Sequence, residues 1–398
     1  MELSEHLFRR ESGRLVAALT RIFGVHNLAL AEDVVQDAFC RALEVWKVRG
    51  IPDNPGAWLM AVAKHRALES EWTLAPAVEE AFAVSAIRDE QLRMMFSCCD
   101  PRLPEEVQVA LVLNVLCGFA APEVAAAFLT SRSAMEKRIS RGKKVLAQST
   151  RLFDLADAEF PARLSAVRRG LYLLFNEGYH GASAEAAVRT ELCAEAIRLT
   201  MLLVEARETA SPETLAMAAL MYLHAAKLPT RLDAAGDLNP LVEQDRTQWD
   251  ARLVEEGLAL LDRSATGDVV SAFHVEAAIA AAHATARSVE ETNWDAIVGL
   301  YDRLMSIAPS PIVALNRAIA VGQRDGPDEG IRSLRAIAGV ERLCRYPFYP
   351  AAIAEFERRR GNLDVARDQF LAAAALARSP AERRYPEARI REYGLLMT

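Results

Sequence analysis

Ser131-Arg132-Ser133-Ala134-Met135-Glu136-Lys137-Arg138-Ile139-Ser140-Arg141-Gly142-Lys143-Lys144 is the stretch from which the fold is read. With Val145 and Leu146 behind it, Met135 and Ile139 form one apolar face at helical spacing, and the other face is cationic. Upstream, Leu103-Pro104-Glu105-Glu106 opens a helix predicted over 105–116, with proline and two acids where a helix N-terminus favours them. Gly118 ends that helix, Pro122 opens a short one over 123–128, and Leu129-Thr130-Ser131 makes a tight turn into the basic helix. Ser133 and Glu136 have capping-box spacing, with Ser131 as the competing cap. Together, Leu103 to Leu146 reads as a helix-turn-helix. In such a unit the second helix enters a major groove, so Arg132, Ser133, Glu136 and Lys137 are the candidates for base edges. Arg138, Arg141, Lys143 and Lys144, further along, are placed to hold phosphates.

The rest of the chain sets this unit in context. At 398 residues, 52% hydrophobic and 25% charged, the chain has a globular composition with room for two or three domains. Apolar residues recur at i, i+3, i+4 throughout and period-2 runs are nearly absent, which predicts an all-α fold. The net charge of −7 disfavours a general nucleic-acid binder, but its distribution is uneven. Residues 1–150 carry 18 basic and 19 acidic side chains, residues 151–398 carry 29 and 35, and residues 131–151 alone hold seven Arg/Lys against one Glu. One cationic helix therefore sits in a neutral to acidic protein.

No apolar run is long enough to span a bilayer, and Met1-Glu2-Leu3-Ser4-Glu5 lacks the basic and apolar regions of a secretion signal, so a cytoplasmic protein with no membrane partner is expected. Cys98-Cys99 reads as two half-buried structural thiols, and no zinc spacing accompanies it. His224, His274 and His283 do not form a metal motif either. P-loop, G-x-G-x-x-G, HExxH and G-x-S-x-G motifs are absent, so no enzyme, metal or cofactor is expected.

Toward the N-terminus, Leu15, Leu19 and Ile22 form one stripe, and Val34, Val35, Ala38, Ala42 and Val45 the next. Opposite the second stripe, Glu32, Asp33, Gln36, Asp37 and Glu44 make an acidic polar face. The turn Gly50-Ile51-Pro52-Asp53-Asn54-Pro55-Gly56 separates this helix from Ala57-Trp58-Leu59-Met60-Ala61-Val62-Ala63-Lys64-His65-Arg66-Ala67-Leu68. Near the other end, Ala320–Gly326 resembles Phe356–Asn362 at an offset of about 36, close to the period of tetratricopeptide-type helix pairs. Asn176, Glu177, Tyr179, Asp233, Asp245, Arg246 and Trp249 stand out as polar or aromatic residues in apolar helical context. They are candidates for a groove that takes a regulatory protein or ligand, and equally for hydrogen-bonded contacts between helices.

The order Ala-Glu-Asp-Val-Val-Gln-Asp-Ala-Phe from Ala31, Pro-Gly-Ala-Trp-Leu from Pro55 and Ala-Lys-His-Arg-Ala-Leu from Ala63 resembles region 2 of the extracytoplasmic-function sigma factors. Leu103–Leu146 resembles their region 4. Leu171–Tyr179, Leu192–Leu199, Arg231-Leu232-Asp233 through Gln244–Trp249, and Pro309–Ala318 are similar to a subgroup with a long C-terminal helical extension. The resemblance implies domains over 1–72 and 103–150, a linker over 73–102 and an extension over 151–398, tetratricopeptide-like toward its end. It implies that Glu32, Asp33, Gln36, Asp37 and Glu44 lie on the face that meets core RNA polymerase. It further implies that residues 54–68 meet the −10 promoter element, with Trp58, Lys64, His65 and Arg66 as its DNA contacts, and that the helix at 131–146 reads the −35 element. The sequence departs from the family where Glu69-Ser70-Glu71-Trp72 replaces a run of arginines. Exchanging Glu69 and Glu71 for arginine is expected to tighten promoter binding with a steeper salt dependence, and a salt titration that leaves the slope unchanged counts against a role for this segment at DNA. The residues alone leave two other readings open: a helix-turn-helix regulator with a helical sensor domain, and a helical-repeat adaptor that has lost promoter function.

Overall fold

A computed structural model describes residues 5–24, 27–70, 93–128, 130–148, 160–180, 188–207, 209–233, 238–343, 345–377 and 380–392. Among them every regular element is helical, and the one β-type contact is an isolated bridge between Leu232 and Leu238. The all-α expectation holds. The chain forms two compact units, one of residues 1–177 and 194–210, the other of residues 178–193 and 211–398.

The first unit begins with α1 (Glu5–Phe23), α2 (Leu28–Arg49) and α3 (Pro55–Ser70), each packed on the other two. Leu15 and Leu19 are buried on α1, as are Val34, Val35, Ala38 and Ala42 on α2. The stripes end one residue later than their periodicity suggested: Phe23 and Trp46 are buried where Ile22 and Val45 are only half-buried. Trp46 closes the top of the group by meeting Trp58 of α3 edge-on, ring centroids 5.2 Å apart. Gly50, at φ 82°, ends α2 with its N–H on the Trp46 carbonyl. Asn54 Oδ1 then accepts from the Ala57 N–H at 3.0 Å, and Pro55 opens α3, where its missing N–H costs nothing.

Next come α4 (Glu105–Leu111), α5 (Ala121–Ala127) and α6 (Arg132–Ala147), with α6 packed on both of the others. The helix expected to run from 105 to 116 is α-helical only to Leu111. Val112–Leu116 widens into a π-helical turn, in which the Cys117 N–H reaches back five residues to the Val112 carbonyl at 3.3 Å. This wide turn packs on α1. Gly13 of α1 is what permits the contact, because a Cβ there would lie 2.0 Å from the Leu116 carbonyl oxygen. Cys98 and Cys99 are fully buried rather than half-buried, and burial pushes the Cys98 thiol up to about 12 and Cys99 well above the ordinary range. They are inert structural thiols at neutral pH. From α7 (Phe160–His180), Arg163 donates to the Phe96 carbonyl at 3.0 Å and Arg169 pairs with Glu105 at 3.3 Å, so this helix lies along the base of the helix-turn-helix. α8 (Thr190–Glu205) completes the unit with its residues from 194 onward.

The second unit contains α9 (Pro212–Ala225), α10 (Ala251–Ser264), α11 (Ala272–Thr285), α12 (Trp294–Ile307), α13 (Pro311–Asp325), α14 (Pro327–Arg335), α15 (Phe348–Arg359), α16 (Leu363–Leu376) and α17 (Pro380–Glu392). Each packs on the next in the chain, the nearest-neighbour plan of a helical array. The caps are local and legible: Ser211, Asp250, Asn293 and Ser310 each accept from a backbone N–H three residues on. Gln323 of α13 accepts from Arg359 of α15 at 3.2 Å. At the same level the Phe356 ring fills the space above Gly322, where a Cβ would lie 2.2 Å from the ring.

Candidate nucleic-acid interface

Two rows of helix carry the candidate residues of the first unit. On α6 the cap is Ser131, not Ser133: Ser131 Oγ accepts from the Ala134 N–H at 3.3 Å. Met135, Ile139 and Leu146 are buried as expected, but the fourth place in the stripe belongs to Gly142, while Val145 is half-buried. The small Gly142 lets the Leu111 and Val107 side chains seat directly against the helix, which fixes the rotation of α6 on α4. That rotation turns the cationic face outward.

On that face Lys137, Arg141 and Lys144 are exposed and enter no ion pair among the described residues. Arg138 pairs with Glu106 of α4 at 3.2 Å, and Arg132 pairs with Glu136 one turn along α6 at 2.7 Å. Both are surface pairs of the kind worth less than about 1 kcal/mol, so an approaching phosphate can displace them. Ser133, Lys137, Arg138 and Arg141 border one shallow depression on this face. Lys143 differs. Its Nζ lies 2.6 Å from Glu32 Oε1 on α2, and both side chains are about two-thirds covered.

The polar face of α2 is therefore not uniformly open. Asp33, Gln36, Asp37 and Glu44 are exposed, but Glu32 is tied to Lys143, Asp37 accepts from Arg66 of α3 at 3.2 Å, and Glu44 pairs with Arg41 at 3.0 Å. A cleft of about 440 Å³ runs between this helix and the start of the helix-turn-helix, bordered by Glu32, Gln36 and Phe39 on one side and Asn114 and Phe119 on the other. On α3, His65 and Arg66 are exposed, and Lys64 and Trp58 half-buried. Trp58 thus packs on Trp46 with part of its ring in solvent. The backbone of α3 includes Glu69 and Ser70, whereas Glu71 and Trp72 lie outside the described residues.

The seven residues singled out for a groove fall in both units. Asn176 and Glu177 belong to the first unit, and Tyr179, Asp233, Asp245, Arg246 and Trp249 to the second. Asp245 caps a turn of 3-10 helix at Arg246–Gln248, accepting from the Thr247 N–H at 3.0 Å, and Asp233 is exposed. Arg246 and Trp249 do come together, the guanidinium 5.3 Å from the ring centroid. Sequence reasoning missed Lys227, buried against the other side of this cluster. A lysine following Ala225-Ala226 carries no local sign of burial.

The sequence of this chain matches three described families. Residues 7–70 match Sigma-70 region 2, residues 93–146 match Sigma-70 region 4, and residues 163–265 match a family of unknown function, DUF6596. An uncharacterized protein of Rhizobium meliloti (strain 1021) is 36% identical over 389 residues, covering 93% of this chain and 91% of that protein. No solved structure matches. A region 2 bundle ahead of a region 4 helix-turn-helix defines a transcription initiation factor rather than an enzyme. The chain belongs to the extracytoplasmic-function-like sigma factors of the sigma-70 family that carry a C-terminal extension. Among the described residues no helix is long and apolar enough to cross a membrane.

Proposed function

We propose that this protein joins core RNA polymerase in the cytoplasm through the polar face of α2 and directs it to a small set of promoters. In this reading residues 54–68, with Trp58, Lys64, His65 and Arg66, engage and help separate the −10 element. Unstacked bases need an aromatic surface, and the strand needs cations beside it. The outward row of Lys137, Arg141 and Lys144 on α6, with Arg132, Ser133 and Glu136 at the N-terminal end, reads the −35 element. That unpaired cationic row on a helix-turn-helix is the observation that carries the reading. The C-terminal helical array acts as the regulatory domain.

The same reading gives the closed packing of the first unit a meaning. α3 packs on α2, and α2 is bridged to α6 through Glu32 and Lys143, so the two promoter-reading elements sit roughly two helix diameters apart, ~20–24 Å. Elements centred at −10 and −35 are separated by about 25 base pairs, or ~85 Å of duplex at 3.4 Å per step. The closed form cannot touch both at once and must open on the promoter. Replacing Glu32 with glutamine is accordingly expected to raise the DNA affinity of the free protein about fivefold at ~0.15 M salt, by returning one cation to phosphate and steepening the log–log salt slope by about 0.9. An unchanged slope in a fluorescence-anisotropy salt series counts against Lys143 as a masked phosphate contact.

The reading as a whole is tested by run-off transcription with purified protein, core polymerase and candidate upstream DNA. Specific transcripts that depend on the protein support it. Polymerase binding without transcripts favours an adaptor, and DNA binding without polymerase binding favours a separate regulator.

A further inference from the structure

The second unit holds a cavity of about 350 Å³ that promoter recognition does not use. Its size falls in the range of small-molecule sites, which are mostly apolar with a few directed polar groups. Trp294, Ile297, Tyr301 and Phe348 make much of the wall, with Asn316 and Gln323 among the polar groups. The wall also contains two carboxylates, Glu355, to which Arg358 donates at 3.1 Å, and the buried Glu382.

His283 and Arg231 also line the cavity, and His283 backs onto an unusual cluster. His283 is 7% exposed, its ring stands edge-on to Trp294, and its buried Nδ1 has no hydrogen-bond partner among the described residues. Lys227 is 2% exposed, and its ammonium lies 5.4 Å from the centroid of Trp249. No group among the described residues accepts a hydrogen bond from that ammonium or pairs with it. Arg246 stacks on the same Trp249 ring and donates to the carbonyls of His283 and Ala286 at 3.0 Å. Arg231 stacks on Tyr179 with its guanidinium 4.9 Å from the ring. Among the described residues the carboxylate that acts on Arg246 is Glu290, out in solvent.

Burial and the neighbouring cations leave a clear electrostatic record. Lys227 is pushed down to about 7, chiefly by burial and then by Arg246 and Arg231. His283 is pushed down to about 3 by burial, Lys227 and Arg246, so its ring is neutral at physiological pH. A lysine side chain buried this far with neither carboxylate nor hydrogen-bond acceptor among the described residues is costly, and an unpartnered buried imidazole nitrogen adds to that cost. Two cation–π contacts on one indole offset part of it. Among the described residues no anion meets Lys227, and the cavity opens beside it.

We propose that this cavity binds a small organic acid, a carboxylate or phosphate monoester on a flat apolar body, with its acid group at the end formed by His283 and Arg231, over Lys227 and Arg246, and its body along the wall of Trp294, Tyr301 and Phe348. The bound acid supplies a counter-charge to Lys227, and the body displaces water from aromatic surface. The ligand is then the input to the C-terminal unit. The inference does not depend on promoter recognition, because the site lies within one unit and its test uses neither DNA nor polymerase.

The test uses the full-length protein, titrated with benzoate, phenyl phosphate and the free acid of the tripeptide Ala-Ala-Phe, with benzamide and the tripeptide amide as neutral partners. Tryptophan fluorescence and melting temperature are the readouts. At least one acid is expected to bind saturably below about 10 mM and raise the melting temperature, while its neutral partner does not. Binding by benzoate or phenyl phosphate assigns the site to a free metabolite, and binding by the tripeptide acid alone assigns the same carboxylate chemistry to a protein tail. Lys227→Met, close in volume and free of buried charge, is expected to keep the far-UV circular dichroism and weaken the acid at least about tenfold. Phe348→Ala, on a partly exposed wall residue, is expected to weaken the aryl acids without changing the fold. If no acid binds the folded protein, if acid and neutral partner bind alike, or if Lys227→Met binds as well as the parent, the proposal fails.

Discussion

Replacing Lys137, Arg141 and Lys144 together with glutamine is expected to lower promoter-DNA affinity about a hundredfold at ~0.15 M salt and to flatten the log–log salt slope by about 2.7. Each cation that neutralises a phosphate releases condensed counterions, so the loss grows as salt falls and scales with the number of contacts removed. These three are the cations of α6 that make no ion pair among the described residues, so their removal breaks nothing inside the protein. The melting temperature is expected to stay within a degree or two of the parent, as for other solvent-facing substitutions. A contrasting pair sharpens the assignment. Arg132→Ala removes a candidate base contact and is expected to relax sequence preference more than it weakens binding to arbitrary DNA. Filter binding with matched and scrambled sites separates the two behaviours. An unchanged salt slope in the triple variant removes α6 from the DNA interface.

Gly13→Ala is expected to open the first unit. In an unpacked helix the change would stabilise by about 1 kcal/mol through helix propensity. Here the new methyl group would sit 2.0 Å from the Leu116 carbonyl oxygen, a backbone atom that cannot swing aside as a flexible side chain would. Overpacking of this kind costs about 3 kcal/mol at the upper end of its usual range. The propensity gain is common to the closed and open forms and cancels between them, so the full ~3 kcal/mol disfavours the closed form, by a factor of about 150. Because the clash lies between α1 and the π-helical turn, it falls on the contact between the two sigma regions and not inside either one. Far-UV circular dichroism is therefore expected to be unchanged, while the radius of gyration from small-angle X-ray scattering and the DNA affinity of the free protein both increase. If helical content collapses, the contact is part of a single folding unit. If radius and affinity match the parent, the closed packing does not limit DNA binding.

Much of this was legible because it is local. The cationic face of α6, the proline start of α3 and the caps at Ser211, Asp250, Asn293 and Ser310 all rest on neighbours within four residues. The features that escaped are those in which a residue answers to a distant partner. Val112-Leu113-Asn114-Val115-Leu116 has an ordinary helical pattern, and only its packing on α1 accompanies the widened turn. Gly13 stands inside a helical pattern, and nothing near it in the sequence names Leu116 as what approaches it. Gly142 took the place in the stripe that periodicity alone gave to Val145. Lys227 is the clearest case: lysine is seldom fully buried, and its burial follows from Trp249, a residue 22 positions on. Arg246 and Trp249, two of the residues chosen for a groove, do meet, but their company is set by tertiary packing.

The contact between Glu32 and Lys143 has a thermodynamic corollary. On the proposed reading, one carboxylate belongs to the surface that meets polymerase and one ammonium to the surface that meets DNA, and each silences the other. A partner that takes either one frees its mate. Linkage then makes the two associations mutually reinforcing, and by reciprocity the factor by which polymerase strengthens the hold on DNA equals the factor by which DNA strengthens the hold on polymerase. Neither partner alone draws the full benefit, so the unassembled protein is a poor competitor for random DNA and commitment comes only when both are present.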